Sequence, residues 1–390
     1  MKLRTSMVGV LAVLALVSAA CGGPESEGAA ASDPGTAEET PANGQDAPDG
    51  EEPAEPVAPA GDGGCPVVRE EGEAIDDYID RLYMAALEEG EVRYYSSSNE
   101  KELVAVEEGF NEFFPDIEFV TVTGQTSTLL QRALVEARSG QPGDFYKGSS
   151  ADMAALAEGG VLVEYRPANE EFVNPDYIFE NAPYFGTSFL TLHIAYNTEL
   201  VNEEDLPTTW EGFLDPEWAG GKLAVDQGAY EFTAGIIQSM GEEEGEAFLR
   251  ELAAQEPRLV AGSTLRTELL AAGEFPVMLD GYGHRLLEFV EGGAPIEVLV
   301  PHPDPLIAVT SLGGVMADAP HPCAARLMAE FLLTPEGQEV FIAQNKPSVL
   351  SEGVEAPYPQ FMEGAEVVAL DPAQVDFEAA ANLFNDLFVR

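Results

Sequence analysis

The sequence predicts an α/β protein of two lobes with a ligand cleft between them. Three observations carry this. A strand, polar turn, helix unit recurs three times between residues 91 and 157, the pattern of a parallel sheet with covering helices. Two long apolar segments, 189–196 and 307–316, are placed to cross between lobes. A second set of strands and helices lies between those crossings, and the chain from Cys65 onward is long enough for two separate cores.

In chain order, Lys2 and Arg4 precede an apolar run over 7–17, too short and wrongly flanked for a stable span. Small residues Ser18, Ala19 and Ala20 then lead into Cys21-Gly22-Gly23. This resembles a bacterial lipoprotein signal, with Ser18 where an aliphatic residue is more usual, and implies cleavage before Cys21 and lipidation of that Cys. Residues 22–64 hold Glu, Asp, Pro, Gly and Ala with no Lys, Arg or His. Such a stretch cannot bury enough surface to offset its ordering entropy, and like charges extend it, so it is expected to be a disordered tether.

The first lobe begins with a helix over 74–89, with Ile75, Tyr78, Ile79, Leu82, Tyr83 and Leu87 on one face and Gly90 as its stop. Strands are expected at 92–95, 117–122 and 144–147, followed by helices over 100–114, 128–138 and 150–157. Each strand runs into a polar turn: Ser96-Ser97-Ser98-Asn99, Gly124-Gln125-Thr126-Ser127 and Gly148-Ser149-Ser150. In open α/β sheets, ligands lie beyond the carboxyl ends of the strands, where helix starts offer free N–H groups and a partial positive charge. One such turn is read as plain capping; three on one edge are read as a site for an oxyanion or carboxylate. The second lobe is expected to contain strands at 222–225, 276–279 and 296–300, with helices over 233–240 and 263–272. Helices over 323–333 and 377–389 follow the return crossing. The domain boundaries are therefore 1–20 signal, 21–64 lipid anchor and tether, 65–195 lobe 1, 196–306 lobe 2, 307–345 return to lobe 1, and 346–390 a C-terminal segment of open lobe assignment.

Charge narrows the partners. There are 70 acidic against 18 basic residues. Nucleic acid is excluded as a partner for such a surface, and an anion can bind only where donors are concentrated locally. The acid excess is read as suiting a salty exterior more than as reporting ligand charge. Of the three cysteines, Cys65 and Cys323 remain once Cys21 carries lipid, and a bridge between them is expected in an oxidising compartment. No Cys/His metal-ligand spacing occurs. An enzyme is not expected. There is no G-x-S-x-G elbow or H-E-x-x-H motif, and Ser149 or Ser263 with His284 has no supporting spacing as a hydrolase centre.

Five segments carry a family resemblance. They are Leu192-His193-Ile194-Ala195-Tyr196-Asn197-Thr198 with Leu200-Val201; Pro207-Thr208-Thr209-Trp210 with 214–222; Leu270-Ala271-Ala272-Gly273-Glu274; Ala319-Pro320-His321-Pro322 with Ala324-Ala325; and Leu332-Leu333-Thr334-Pro335-Glu336-Gly337-Gln338. In this order they resemble the ferric-iron-binding group of solute-binding proteins of ABC importers. The resemblance implies a type II periplasmic-binding-protein-like fold and a monomer outside the membrane that delivers its ligand to a permease and ATPase. It also implies no resident cofactor, any ferric iron being cargo. Ferric members usually place two adjacent tyrosines at the turn that here reads Asp280-Gly281-Tyr282-Gly283-His284; Tyr282 matches the first and Gly283 replaces the second. One tyrosine makes a poor ferric cage, although Tyr282 with His284 remains a candidate metal pair beside the preferred reading of an aromatic wall. The expected ligand is a small anion, or a metal with a companion anion. Ser97, Ser98, Asn99, Thr126, Ser127, Ser149 and Ser150 would hold it from the first lobe, and Tyr230, Tyr282 and His284 would close over it from the second. Arg266 is a candidate anion clamp, set against the plainer reading of a solvated helix face.

Overall fold

A computed structural model describes residues 64–179, 181–354 and 356–389. The signal, Cys21 and all of the tether except Gly64 lie outside the described residues. Helix α1 (Ile75–Glu89) opens the folded region. Three strand–helix pairs follow: β1 (Glu91–Ser96) with α2 (Glu100–Phe113), β2 (Glu118–Val122) with α3 (Thr126–Arg138), and β3 (Phe145–Gly148) with α4 (Ser150–Glu158). The long strand β4 (Phe185–Asn197) leads to β5 (Leu223–Asp226), α5 (Tyr230–Met240), α6 (Glu242–Ala254), β6 (Arg258–Val260), α7 (Ser263–Ala271), β7 (Val277–Tyr282), α8 (Gly283–Glu291) and β8 (Ile296–Val298). The return strand β9 (Leu306–Val315) is followed by α9 (Pro322–Leu332), α10 (Pro335–Ile342), β10 (Val367–Ala369) and α11 (Phe377–Phe388).

The strand order is β2-β1-β3-β9-β4-β7-β5-β6, with β10 beside β9 and β8 beside β4. Strands β2, β1 and β3 are mutually parallel, as are β6, β5 and β7. Between these groups β4 and β9 pair antiparallel along most of their length, from Phe185 opposite Gly313 to Leu192 opposite Ile307. The two crossing segments are therefore ladder members that join both halves in one continuous hydrogen-bonded order.

Two-residue periodicity assigns the faces of each half. In β1, Val92 and Tyr94 enter a core with Leu82, Phe110, Phe331 and Phe341, whereas Tyr95 enters one with Leu129, Tyr146 and Met153. In β7, Val277 and Leu279 join Trp210, Phe232 and Leu249, whereas Met278 joins Leu270 and Leu286. Helices α1 and α9 pack together in the first half. A disulfide ties Cys65, in the segment before α1, to Cys323 of α9, across a sequence separation of 258. In helix α11, Phe377, Ala380, Phe384 and Leu387 enter the core of Trp210 in the second half.

Candidate functional site

Because β1 and β3 are parallel neighbours, their carboxyl ends open on the same edge, beside β9. A cavity of about 190 Å³ lies there, lined by Ser97 and Ser98 after β1, Lys147 to Ser149 at the end of β3, Thr310 and Ser311 of β9, and Lys346. Glu231 and Tyr282 close it from the second half. Local sequence explains the turns. Asn99 caps α2 by accepting from the Glu102 N–H at 3.0 Å, and Ser149 forms a reciprocal capping box with Asp152.

Behind the serines is a buried ion cluster. Lys147 Nζ is 2.9 Å from Glu102 Oε1, and Lys346 Nζ pairs with Glu102 Oε2. Ser98 Oγ donates to Glu102 Oε1 at 2.7 Å. Burial alone would raise the Glu102 carboxyl, but the two ammonium groups outweigh it and hold that carboxyl well below the usual carboxylate range. Burial pushes the Lys147 ammonium down, with Glu102 opposing. Two cations against one carboxylate leave this wall locally positive.

The facing wall is different. Tyr282 Oη donates to Glu231 Oε2 at 2.6 Å. Burial, reinforced by the Glu231 charge, raises the phenol well above its ordinary value, so Tyr282 is a donor rather than a phenolate. Burial also raises Glu231. The His284 ring lies 5.8 Å from that of Tyr282, and burial with nearby Arg285 and Lys346 lowers the imidazole to about 4, leaving it neutral at pH 7.

The structure gathers Ser97, Ser98, Ser149 and Tyr282 at one cavity, with Asn99 capping the adjoining helix. Thr126 and Ser127 are not brought there. They are exposed, because β2 lies beyond β1 at the sheet's edge, three places from β9. Ser150 is buried and donates to the Thr310 carbonyl at 3.2 Å. Tyr230 lines a neighbouring cavity and packs its ring edge-on to Phe377. Arg266 is neither a solvated face nor a free clamp, since it is fully buried and ion-paired with Asp226 and Asp280. Gly283 has a steric reason: a Cβ there would lie 2.7 Å from the Tyr358 ring and 3.0 Å from His193 Nε2. A second tyrosine beside Tyr282 has no room.

Lys147, Lys346 and Glu231 are the residues that sequence reasoning missed, and Glu102, near the turn after β1, reads in sequence as a helix residue rather than a site residue. Their signals were faint but present. Lys147 ends an otherwise apolar strand, and Glu102 borders the apolar stripe of Leu103, Val106 and Phe110.

A model of the bacterial extracellular solute-binding proteins matches residues 95–339, more than half of the chain. The chain belongs to this family. Such proteins are the non-enzymatic binding components of ABC transporters, and this solute-binding protein is related to ferric-iron-binding members. It is 26% identical over 238 residues to an Fe(3+)-binding periplasmic protein of Serratia marcescens, covering 58% of this chain and 69% of the relative. Among solved structures, iron-bound HitA from Pseudomonas aeruginosa superposes with a TM-score of 0.64 at 22% identity, covering 76% of this chain and 99% of HitA. AfuA from Actinobacillus pleuropneumoniae, solved with fructose-6-phosphate bound, gives 0.61 at 19% identity, covering 77% and 99%. Trichodesmium IdiA (FutA), in complex with iron and citrate, gives 0.67 at 18% identity, covering 76% and 99%. These likenesses give the two-lobed type II periplasmic-binding-protein fold. No described helix is long and apolar enough to cross a membrane.

Proposed function

We propose that this solute-binding protein captures a small anionic solute, a phosphorylated or carboxylated compound, between its lobes and passes it to an importer. The Lys147–Glu102–Lys346 cluster carries the reading. A protein this acidic repels a free anion except where cations and helix starts converge, and they converge at this cavity. Ser97 and the Ser149 hydroxyl supply donors while Ser98 is held on Glu102, Lys346 supplies the accessible charge, and Tyr282 and Glu231 close the site, with His284 beside Tyr282 outside the cavity lining. The lobes divide at the crossings, set at 195/196 and 306/307; within β4 and β9 themselves, Phe189 and Ala308 enter the first core and Leu192, Ile194, Ile307 and Val309 the second. The protein acts as a monomer held outside the membrane by lipid on Cys21 and the acidic tether, and it serves a permease and ATPase. Support for the anchor is the signal-like segment ending at Cys21. Thermal melts of dialysed protein against such compounds test the solute class: one or more should raise Tm, and Lys346→Met should abolish the rise.

A second reading has its own observation. The oxygens of Tyr282 and Glu231 lie 2.6 Å apart and face the anion site, so a ferric ion with a companion anion is the alternative cargo. Stoichiometric iron with a visible tyrosinate charge-transfer band, lost in Tyr282→Phe, would replace the first reading with this one.

A further inference from the structure

A second cavity, of about 300 Å³, adjoins the anion site, and the two share Glu231 and Tyr282 as lining. Its chemistry is the reverse of its neighbour's. Asp226, Asp280, Glu231 and Arg266 line it, together with Gly262 and Ser263 at the start of α7. Three carboxyl groups thus face one cation, and that cation is fully committed. Arg266 Nη1 pairs with Asp226 and donates to the Val260 carbonyl, Nη2 donates to the Asp280 carbonyl at 3.2 Å, and Nε donates to Met278 Sδ at 3.2 Å. Asp280 is 3% exposed, and its Oδ1 receives no hydrogen bond although Arg266 Nε lies 3.3 Å away. Asp226 keeps 28% of its side chain exposed. Glu231 engages Tyr282 through Oε2. Burial raises the carboxyls of both Asp280 and Glu231, the direction expected of acids short of countercharge.

We infer that the ligand is dipolar: its anionic group lies against Ser97, Ser149 and Lys346, and an ammonium group on the same molecule lies against Glu231 and Asp226. This rests on the anion-binding reading above. The lysine side and the aspartate side meet at the Glu231–Tyr282 pair, so a short molecule carrying both charges satisfies both walls at once. A metal cation suits the acidic wall less well. Among the described residues, no group of three His, Cys, Asp or Glu side chains is arranged to hold one, and Arg266 already occupies the deepest carboxylates.

Calorimetric titration of the folded chain with matched pairs tests this: 2-aminoethyl phosphate against ethyl phosphate, 3-aminopropyl phosphate against propyl phosphate, and 4-aminobutyrate against butyrate. In at least one pair the amine-bearing member should bind about tenfold more tightly or better, the effect of one charge-assisted hydrogen bond. Glu231→Gln should bring that ratio close to one, the amine-bearing member losing far more affinity than the amine-free one. Lys346→Met should weaken both members alike. Equal binding within every pair overturns the dipolar ligand and leaves the anion reading standing. Binding by no member of any pair overturns both. Equal weakening of both members by Glu231→Gln reduces Glu231 to a structural role and also overturns the inference. The pairs on the unmodified protein decide the matter even if a variant fails to fold.

Discussion

Replacing Glu102 with Gln removes the one carboxylate shared by two lysines while keeping the side chain's shape. Glu102 is 1% exposed and Lys147 is 3% exposed in this pair, so the substitution strands a buried ammonium. Breaking a buried pair on one side costs about 3–5 kcal/mol. The pH dependence carries a sign that can be checked. In the folded protein the Glu102 carboxyl is held well below its ordinary range. Its stabilisation is therefore fully present above the unfolded value of about 4.3 and is lost as pH falls through the folded value. Urea unfolding should show the full gap between the two proteins at pH 7 and a shrinking gap below about pH 4. Far-ultraviolet circular dichroism is the appropriate probe, because both tryptophans, Trp210 and Trp218, lie in the other core. Glu102→Gln with Lys147→Met should recover most of the loss, since the stranded charge is gone. A loss below about 1 kcal/mol for Glu102→Gln, the range of an exposed pair, would refute the reasoning; so would a double variant no more stable than the single one.

Three other outcomes are expected. Intact-mass measurement of the soluble domain should show the oxidised protein two hydrogens lighter than the reduced one, with no thiol alkylated before reduction. Ser149→Ala should cost about 1 kcal/mol in urea unfolding, through loss of the α4 capping box. Gly283→Ala should cost about 1–3 kcal/mol through overpacking against Tyr358 and His193, and Gly283→Ala with Tyr358→Leu should be less destabilised than the sum of the two.

The parallel units of the first half were legible because each combined an apolar strand, a small polar turn and a helix-period stripe, and β1, β2 and β3 lie where those cues put them. The crossings were legible for a related reason: both faces of β4 and β9 are buried, and residues 189–196 and 307–316 read as long, mainly apolar runs broken by Thr191 and His193 in the one and by Thr310 and Ser311 in the other. Helix α6 escaped notice because Gly241 and Gly245 punctuate a glutamate run whose apolar face, Phe248, Leu249 and Leu252, appears late. Helix α8 was hidden behind Gly281 and Gly283, which read as a turn. At the site, a helix start signals donors locally, so Ser97, Ser98 and Ser149 could be named. Strand order is not local. Nothing in the β2 turn says that it sits at the sheet's edge, and that alone leaves Thr126 and Ser127 outside the cavity. The pairing of Lys346 with Glu102 spans 244 positions, and neither residue has a neighbour in sequence that announces the other.

The Cys65–Cys323 bridge makes the intervening chain a covalent ring that contains β1 through β9. A single peptide-bond cut anywhere between these cysteines opens the ring without releasing a fragment. A protease acting outside the cell therefore has to cut twice inside the ring, or break the bridge, before either lobe can be lost. The segment after Cys323, which carries the rest of α9, Lys346 and α11, lies outside this protection. Loss of that tail by one cut would remove a charge from the anion site while the ring itself stayed whole.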